Sequence, residues 1–156
     1  IVLLTTYANG VVGHQDIGID IIKRQAAFLK LPLLLAPLRA STPYELTVIE
    51  ALERLEPRGL AFGDLHLQGI RSWREKHFSK HQLHFPVWQA DYNALFQLLD
   101  EQPGQVKISA LGDTFPDGCP VQVGDAYTRE TAEKMQAWSI DAFGERGEFH
   151  TVVEFW

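Results

Sequence analysis

Cysteine is nearly absent from this 156-residue chain, basic residues are outnumbered, and no apolar run is long. The lone thiol, Cys119, rules out an internal disulfide framework and a four-cysteine zinc site, and it fits a reducing, cytoplasmic setting. It lies between Gly118 and Pro120 with nothing beside it to activate it, so it reads as an incidental thiol. The 14 basic residues against 20 acidic ones leave a net charge of −6, which argues against a nucleic-acid or anionic-membrane partner. The most apolar stretch, Leu29 to Leu38, is broken by Lys30, Pro32 and Pro37, and falls short of the roughly 20 apolar residues of a membrane span. No charged, apolar, small-residue leader opens the chain. Also missing are G-x-G-x-x-G, G-x-x-x-x-G-K-[ST] and G-x-S-x-G, and with them the dinucleotide fingerprint, the Walker loop and the nucleophile elbow. What is present, 46% apolar and 22% charged residues, is enough for one domain with a real core.

The pattern along the chain reads strand, helix, strand, helix, strand. Ile1 to Leu4 is a continuous, partly β-branched apolar run, the mark of a strand buried on both faces in a parallel sheet. It carries no initiator Met, so further sequence is expected upstream. From about Asp16, residues Ile19, Ile22, Ala26 and Leu29 recur at helical spacing. Leu33 to Leu35 reads as a second strand. Thr42, Pro43 and Glu45 predict a capped helix start, with Leu46, Ile49, Leu52 and Leu55 as its apolar face, ended by Pro57-Arg58-Gly59. Leu60 to Phe62 is a third strand, a helix is expected over 69–81, and Leu83 to Trp88 contains an extended segment. Asp91 caps a helix carrying Leu95, Leu98 and Leu99; Val106 to Leu111 is a fourth strand, Thr128 to Trp138 a helix, and Phe149 to Trp156 alternates like a strand. This order predicts an open α/β sheet with right-handed crossovers, whose ligand crevice lies beyond the carboxyl ends of its strands. The expected division is a regular α/β portion at 1–88 and a less regular lobe at 89–156, forming one continuous domain.

Four clusters could carry chemistry. Gly144-Glu145-Arg146-Gly147-Glu148-Phe149-His150-Thr151 is the densest: two carboxylates held by two glycines, with an imidazole close behind. Such carboxylates can hold Mg²⁺, orient a cationic substrate or accept a proton; the bland alternative is a solvated loop. Phe62-Gly63-Asp64 is a strand-end glycine followed by an acid, either a phosphate or ribose approach or a plain turn. Arg71 and Arg74 share a helix face and suit phosphate oxygens, although a solvated face is the default for one of them. His77 and His81 have a metal-ligand spacing, with His66 and His84 nearby, but no Glu follows His77 and no cysteine is close, so no metal site is assigned.

Taken in order, these segments resemble the diphthine–ammonia ligase family, which belongs to the N-type ATP pyrophosphatases of the adenine-nucleotide alpha-hydrolase superfamily. The resemblance is carried by Leu3-Leu4-Thr5-Thr6, His14, Leu31-Pro32-Leu33 and the Tyr44 helix. It continues through Phe62-Gly63-Asp64, Arg71 with Trp73-Arg74-Glu75, Pro86-Val87-Trp88, and the octapeptide Gly144 to Thr151, its most specific part. The resemblance implies a Rossmann-like, mainly parallel open sheet flanked by helices, with a smaller C-terminal lobe. It implies an enzyme that binds ATP and Mg²⁺, adenylates a carboxylate with loss of pyrophosphate, and lets ammonia displace AMP to form an amide. In eukaryotic and archaeal members that carboxylate belongs to diphthine on elongation factor 2. This sequence is closer to bacterial relatives, so another carboxylate, on a small molecule or a modified protein side chain, is the expected acceptor.

On this resemblance Gly63, Asp64 and Arg71 fall on the ATP phosphate or metal side, and Thr5, Thr6 and His14 near the adenosine. Glu145 and Glu148 would face the acceptor, Trp88, Gly147 and Phe149 would shape its pocket, and His150 would carry a proton or act structurally. A homodimer is left open. The family's S-G-G-K-D-S pyrophosphate loop and the strand before it are not in these residues. They would lie upstream of Ile1, or the chain is a degenerate form; either way the 156 residues alone are expected to bind ATP weakly. The alternative reading is a non-catalytic adenine-nucleotide-binding module.

Overall fold

A computed structural model describes residues 1–156. The chain opens with β1 (Leu3–Tyr7), then a short hairpin of β2 (Val11–Val12) and β3 (Ile17–Gly18), which leads directly into α1 (Ile19–Leu29). The hairpin occupies what reads in sequence as a connection, and it delays the helix to Ile19. Next come β4 (Leu33–Pro37), α2 (Tyr44–Glu53), β5 (Gly59–Ala61), α3 (Gln68–His77) and β6 (Gln82–His84). The second half holds α4 (Tyr92–Glu101), β7 (Gln105–Leu111), α5 (Arg129–Gln136) and β8 (Phe149–Glu154). The result is a mixed α/β molecule of five helices and four two-stranded sheets.

Two of these sheets are parallel, β1 with β4 and β5 with β6; β7 and β8 pair antiparallel, as do the hairpin strands. The fourth strand therefore belongs to a separate antiparallel unit and not to a parallel sheet. Leu3 N–H donates to Pro32 O at 2.9 Å and Leu38 N–H to Tyr7 O at 2.7 Å. Strand alternation then turns the main-chain groups of Leu3, Thr5 and Tyr7 toward β4, and those of Leu4 and Thr6 away from it. In the same way Phe62 N–H donates to His84 O at 3.0 Å, which leaves Gly59 and Ala61 facing away from β6. Residues of β1 and β5 line one apolar cleft of about 760 Å³, together with Val48, Leu52 and Phe78.

Capping signals were legible in part. Asp91 accepts from Ala94 N–H at 3.0 Å and Thr128 from Thr131 N–H at 3.2 Å, so α4 and α5 start where their caps stand. On α2 the expected Thr42 cap does not form: Pro43 is the N-cap and no side chain closes the turn. Its buried face is Thr47, Val48, Ala51 and Leu52, while Leu46 and Leu55 are exposed. The expected stripe ran at i+3 throughout and drifts around the helix; the buried pairs are spaced at one and four, which keeps one face. The expected helix over 69–81 stops at His77, and only Gln82–His84 of the following segment is strand, with Pro86 to Gln89 forming a turn.

The main core lies in the second half, where ten buried residues including Phe96, Ile108, Met135 and Phe149 pack together. The first half buries a smaller cluster of Val48, Leu52 and Phe78. The halves are joined by Gln25 Nε2, which donates to Val153 O at 2.7 Å, and by Phe28 stacked on Phe155 at 4.3 Å.

Candidate functional site

The Gly144–Thr151 segment is a tight loop entering β8. Gly144 has φ +68°, and a Cβ there would stand 2.7 Å from Phe149 O; Gly147 has φ +78°. Both positions need glycine for backbone reasons. Gly112, at the end of β7, is the third: a Cβ would meet Gly147 O at 2.0 Å, and its N–H donates to Glu148 O at 2.8 Å. The loop is thus pressed against the end of β7.

Glu145 reaches out of this loop to the other half of the chain. Its Oε2 accepts from the amides of Leu65 and His66, both at 3.2 Å, immediately after Phe62-Gly63-Asp64. Leu65 O in turn accepts from Gln89 N–H at 2.7 Å, next to Trp88. Three segments singled out in the sequence are therefore gathered at one place. Glu145, Gly147 and His150 line a cleft of about 570 Å³ with His14, Arg146 and Asp113, and an adjoining one of about 290 Å³ with Gln15 and Thr151.

Other expected site residues are differently employed. Glu148 is buried at 6% exposure, and its two oxygens accept from Asp141 N–H at 3.0 Å and Arg146 N–H at 3.1 Å. It closes its own loop and does not face an acceptor; two orphan amides of the turn outbid solvent for it. Asp64 forms a bidentate pair with Arg74 at 2.7 and 3.0 Å, and Arg74 lies over the Phe62 ring at 4.3 Å. Burial tends to lower the Arg74 pKa, but the bond and charge of Asp64, with Tyr44 adding to them, outweigh it and leave the value raised. Phe149 is 2% exposed and packs 5.6 Å from Tyr127, so most of its side chain belongs to the core, while the residue also lines the smaller cleft beside Glu145. Arg71 bonds Glu75 at 2.9 Å and covers both Phe85 and Trp88 at 4.7 Å. Arg71 and Trp88 thus sit together, outside the Glu145 cleft. Thr5 and Thr6 are half-buried on β1 and do not line it either. At Gly63 a Cβ would meet open space.

The sequence reading missed Asp141 and Tyr92, and it named His66 only beside the His77 and His81 spacing. Asp141 Oδ1 accepts from Phe143 N–H at 2.9 Å and Glu145 N–H at 3.4 Å, and Tyr92 O–H donates to its two oxygens at 3.2 and 3.0 Å. The Tyr92 hydroxyl also stands 3.1 Å from His66 Nδ1. Burial first, then the bond to Asp141 and the charges of Asp141, Glu145 and Glu148, raise the Tyr92 pKa far above the ordinary tyrosine range. Asp141-Ala142-Phe143-Gly144 has the composition of an Asp-initiated turn, so that residue was within reach of turn chemistry. Tyr92 and His66 carry no local signal, because their contacts span 49 and 26 residues.

The donor set does not make a protein-built metal site. Asp64 is committed to Arg74 and Glu148 to amides, and no three His, Cys, Asp or Glu side chains converge. No known protein family matches the chain, and no curated protein matches it. No helix is long and apolar enough to cross a membrane.

Proposed function

We propose that this chain is the nucleotide- and acceptor-binding part of an ATP-dependent amide ligase of the diphthine–ammonia ligase type. One observation carries the reading: Glu145 of the octapeptide bonds the two amides that follow Phe62-Gly63-Asp64, 80 and 79 residues away in sequence. The two segments that most resemble the family meet across one crevice. In the reaction a carboxylate oxygen of the acceptor attacks the α-phosphorus of ATP, the bond to the bridging oxygen breaks, and pyrophosphate leaves. Ammonia then attacks the acyl carbon, the bond to AMP breaks, and a proton passes from nitrogen to a carrier, for which His150 stands in the cleft. Glu145 would position the crevice through its amide bonds while its other oxygen faces the acceptor. Mg²⁺ would be held mainly by the triphosphate and water, since Asp64 is engaged by Arg74 and Glu148 by amides.

The fold that goes with this reading is a Rossmann-like open sheet with a smaller C-terminal lobe. Its support is the pair of parallel units with unpaired edges on either side of the apolar cleft. A parallel strand between β1 and β5 would join them into one sheet. The test is release of pyrophosphate and AMP that depends on both ammonia and a carboxylate. A second reading, an adenine-nucleotide-binding module without catalysis, is favoured by the engagement of Asp64 and Glu148. It predicts nucleotide binding with no pyrophosphate release under any acceptor.

A further inference from the structure

His14 and His150 lie 136 residues apart in sequence and come together in space, ring centroids 5.8 Å apart and planes at 33°. The contact is built: His14 sits in the turn between β2 and β3, and the next residue, Gln15, donates through Nε2 to Thr151 O at 3.4 Å, beside His150 on β8. Neither ring has a hydrogen-bond or ion-pair partner within the protein, and Arg146 has no carboxylate partner. All three line the same cleft of about 570 Å³. Its other charged groups are Glu145, with one oxygen on the amides of Leu65 and His66, and the exposed Asp113; α3 and the segment before it contribute only Ile70 and Leu67.

The charges decide what this arrangement can hold. With both rings neutral, Arg146 against Asp113 and Glu145 leaves the cleft one charge negative. With both rings protonated it is one charge positive. Two neighbouring imidazolium rings repel each other and gain nothing from the protein; an oxyanion in the shared cleft, at the ring edges, would accept an N–H bond from each. Consistent with this, burial first and His14 second hold the His150 pKa below the ordinary histidine value in the free protein.

We propose that His14, His150 and Arg146 form an oxyanion site, which takes the phosphate or carboxylate group of a ligand and takes up protons on the neighbouring imidazoles as it does so. The proposal goes beyond the ligase reading and does not depend on it: an anion can bind here whether or not an amide is made.

The test is calorimetry of the full chain with inorganic pyrophosphate, AMP and acetate in separate titrations, in buffers of different ionisation enthalpy. At least one anion is expected to bind about tenfold tighter near pH 6 than near pH 7.5, with net proton uptake. Pyrophosphate and AMP binding without acetate binding would identify a phosphate site, and the converse a carboxylate site. In the same titration the His14 and His150 imidazole resonances, assigned from His14→Gln and His150→Gln, are expected to move together. Each substitution, in a protein whose circular dichroism is unchanged, is expected to remove most of the pH dependence. Binding that is independent of pH, binding unaltered by either substitution, or no binding of any of the three anions would overturn the proposal. None of these results requires turnover, so failure of the ligase reading leaves them readable.

Discussion

Carboxylates that look alike in the octapeptide have opposite employment. Glu148 is enclosed by the amides of Asp141 and Arg146, whereas Glu145 spans the crevice. In Glu148→Gln one amide N–H would face the new NH₂ group, and an unsatisfied buried pair costs about 1–3 kcal/mol. Thermal denaturation should therefore show a fall of about 2–4 °C for each kcal/mol lost. An unchanged midpoint would mean that the carboxylate does not close the loop. Glu145→Gln, with one oxygen outside the amide contacts, should cost less. Tyr92 makes a pH prediction with a definite sign. Its folded pKa lies above the ordinary tyrosine value of about 10, so the folded state holds its proton more tightly than the unfolded chain. That contribution is complete below about pH 10 and is lost as the pH climbs toward the folded value. Tyr92→Phe should flatten the alkaline fall in stability measured by urea denaturation. His150 acts at the other end: its depressed folded pKa makes the unfolded chain the better proton binder, so its contribution holds above about pH 6.5 and fades below.

Elements that begin with an Asp or Thr cap were readable because the signal is local: the side chain and the amide it satisfies are three residues apart. The α2 start has equally good local chemistry, but Pro43 takes the N-cap position and leaves Thr42 outside. Strand β7 carries an irregularity between Ile108 and Ala110 in its pairing with β8, and Ser109 Oγ is buried there without a partner. Removing an unsatisfied hydroxyl relieves a desolvation cost, so Ser109→Ala should stabilise the protein by about 1 kcal/mol, as read from chemical denaturation. A decrease would show that the hydroxyl is satisfied in solution. At the end of the same strand, Gly112→Ala would drive a methyl into Gly147 O, and overpacking of this kind costs about 1–3 kcal/mol.

Across the whole molecule the packing is uneven. The antiparallel β7–β8 unit with α4 and α5 holds the large core, while β1 and β5 border an apolar cleft with half-exposed residues. Local opening follows buried contact and paired main chain, so hydrogen exchange should divide along the same line. The Ile108 amide should be among the slowest, and those of Leu4, Thr6 and Ala61, which point away from their paired strands, should exchange far faster than Leu3 and Thr5. Equal protection on both sides of β1 would show that its outer edge is paired. The run Ile1 to Leu4, which reads as a strand covered on both faces, is not covered here: Ile1 and Val2 are exposed, β1 begins at Leu3, and it stands at an edge of a two-stranded sheet.

Helix and strand positions were largely legible in the residues, because hydrophobic period and caps act within a few positions along the chain. The two glycines Gly144 and Gly147 and the density of charge from Gly144 to Thr151 were also visible there, whereas the need for Gly112 was not. What the folded chain alone settles is partnership. Asp64 goes to Arg74, Glu148 to its own turn, Glu145 to the far half, and His14 to His150. Each of those choices depends on which groups compete for a side chain after distant segments meet, and that competition leaves no trace in spacing or composition.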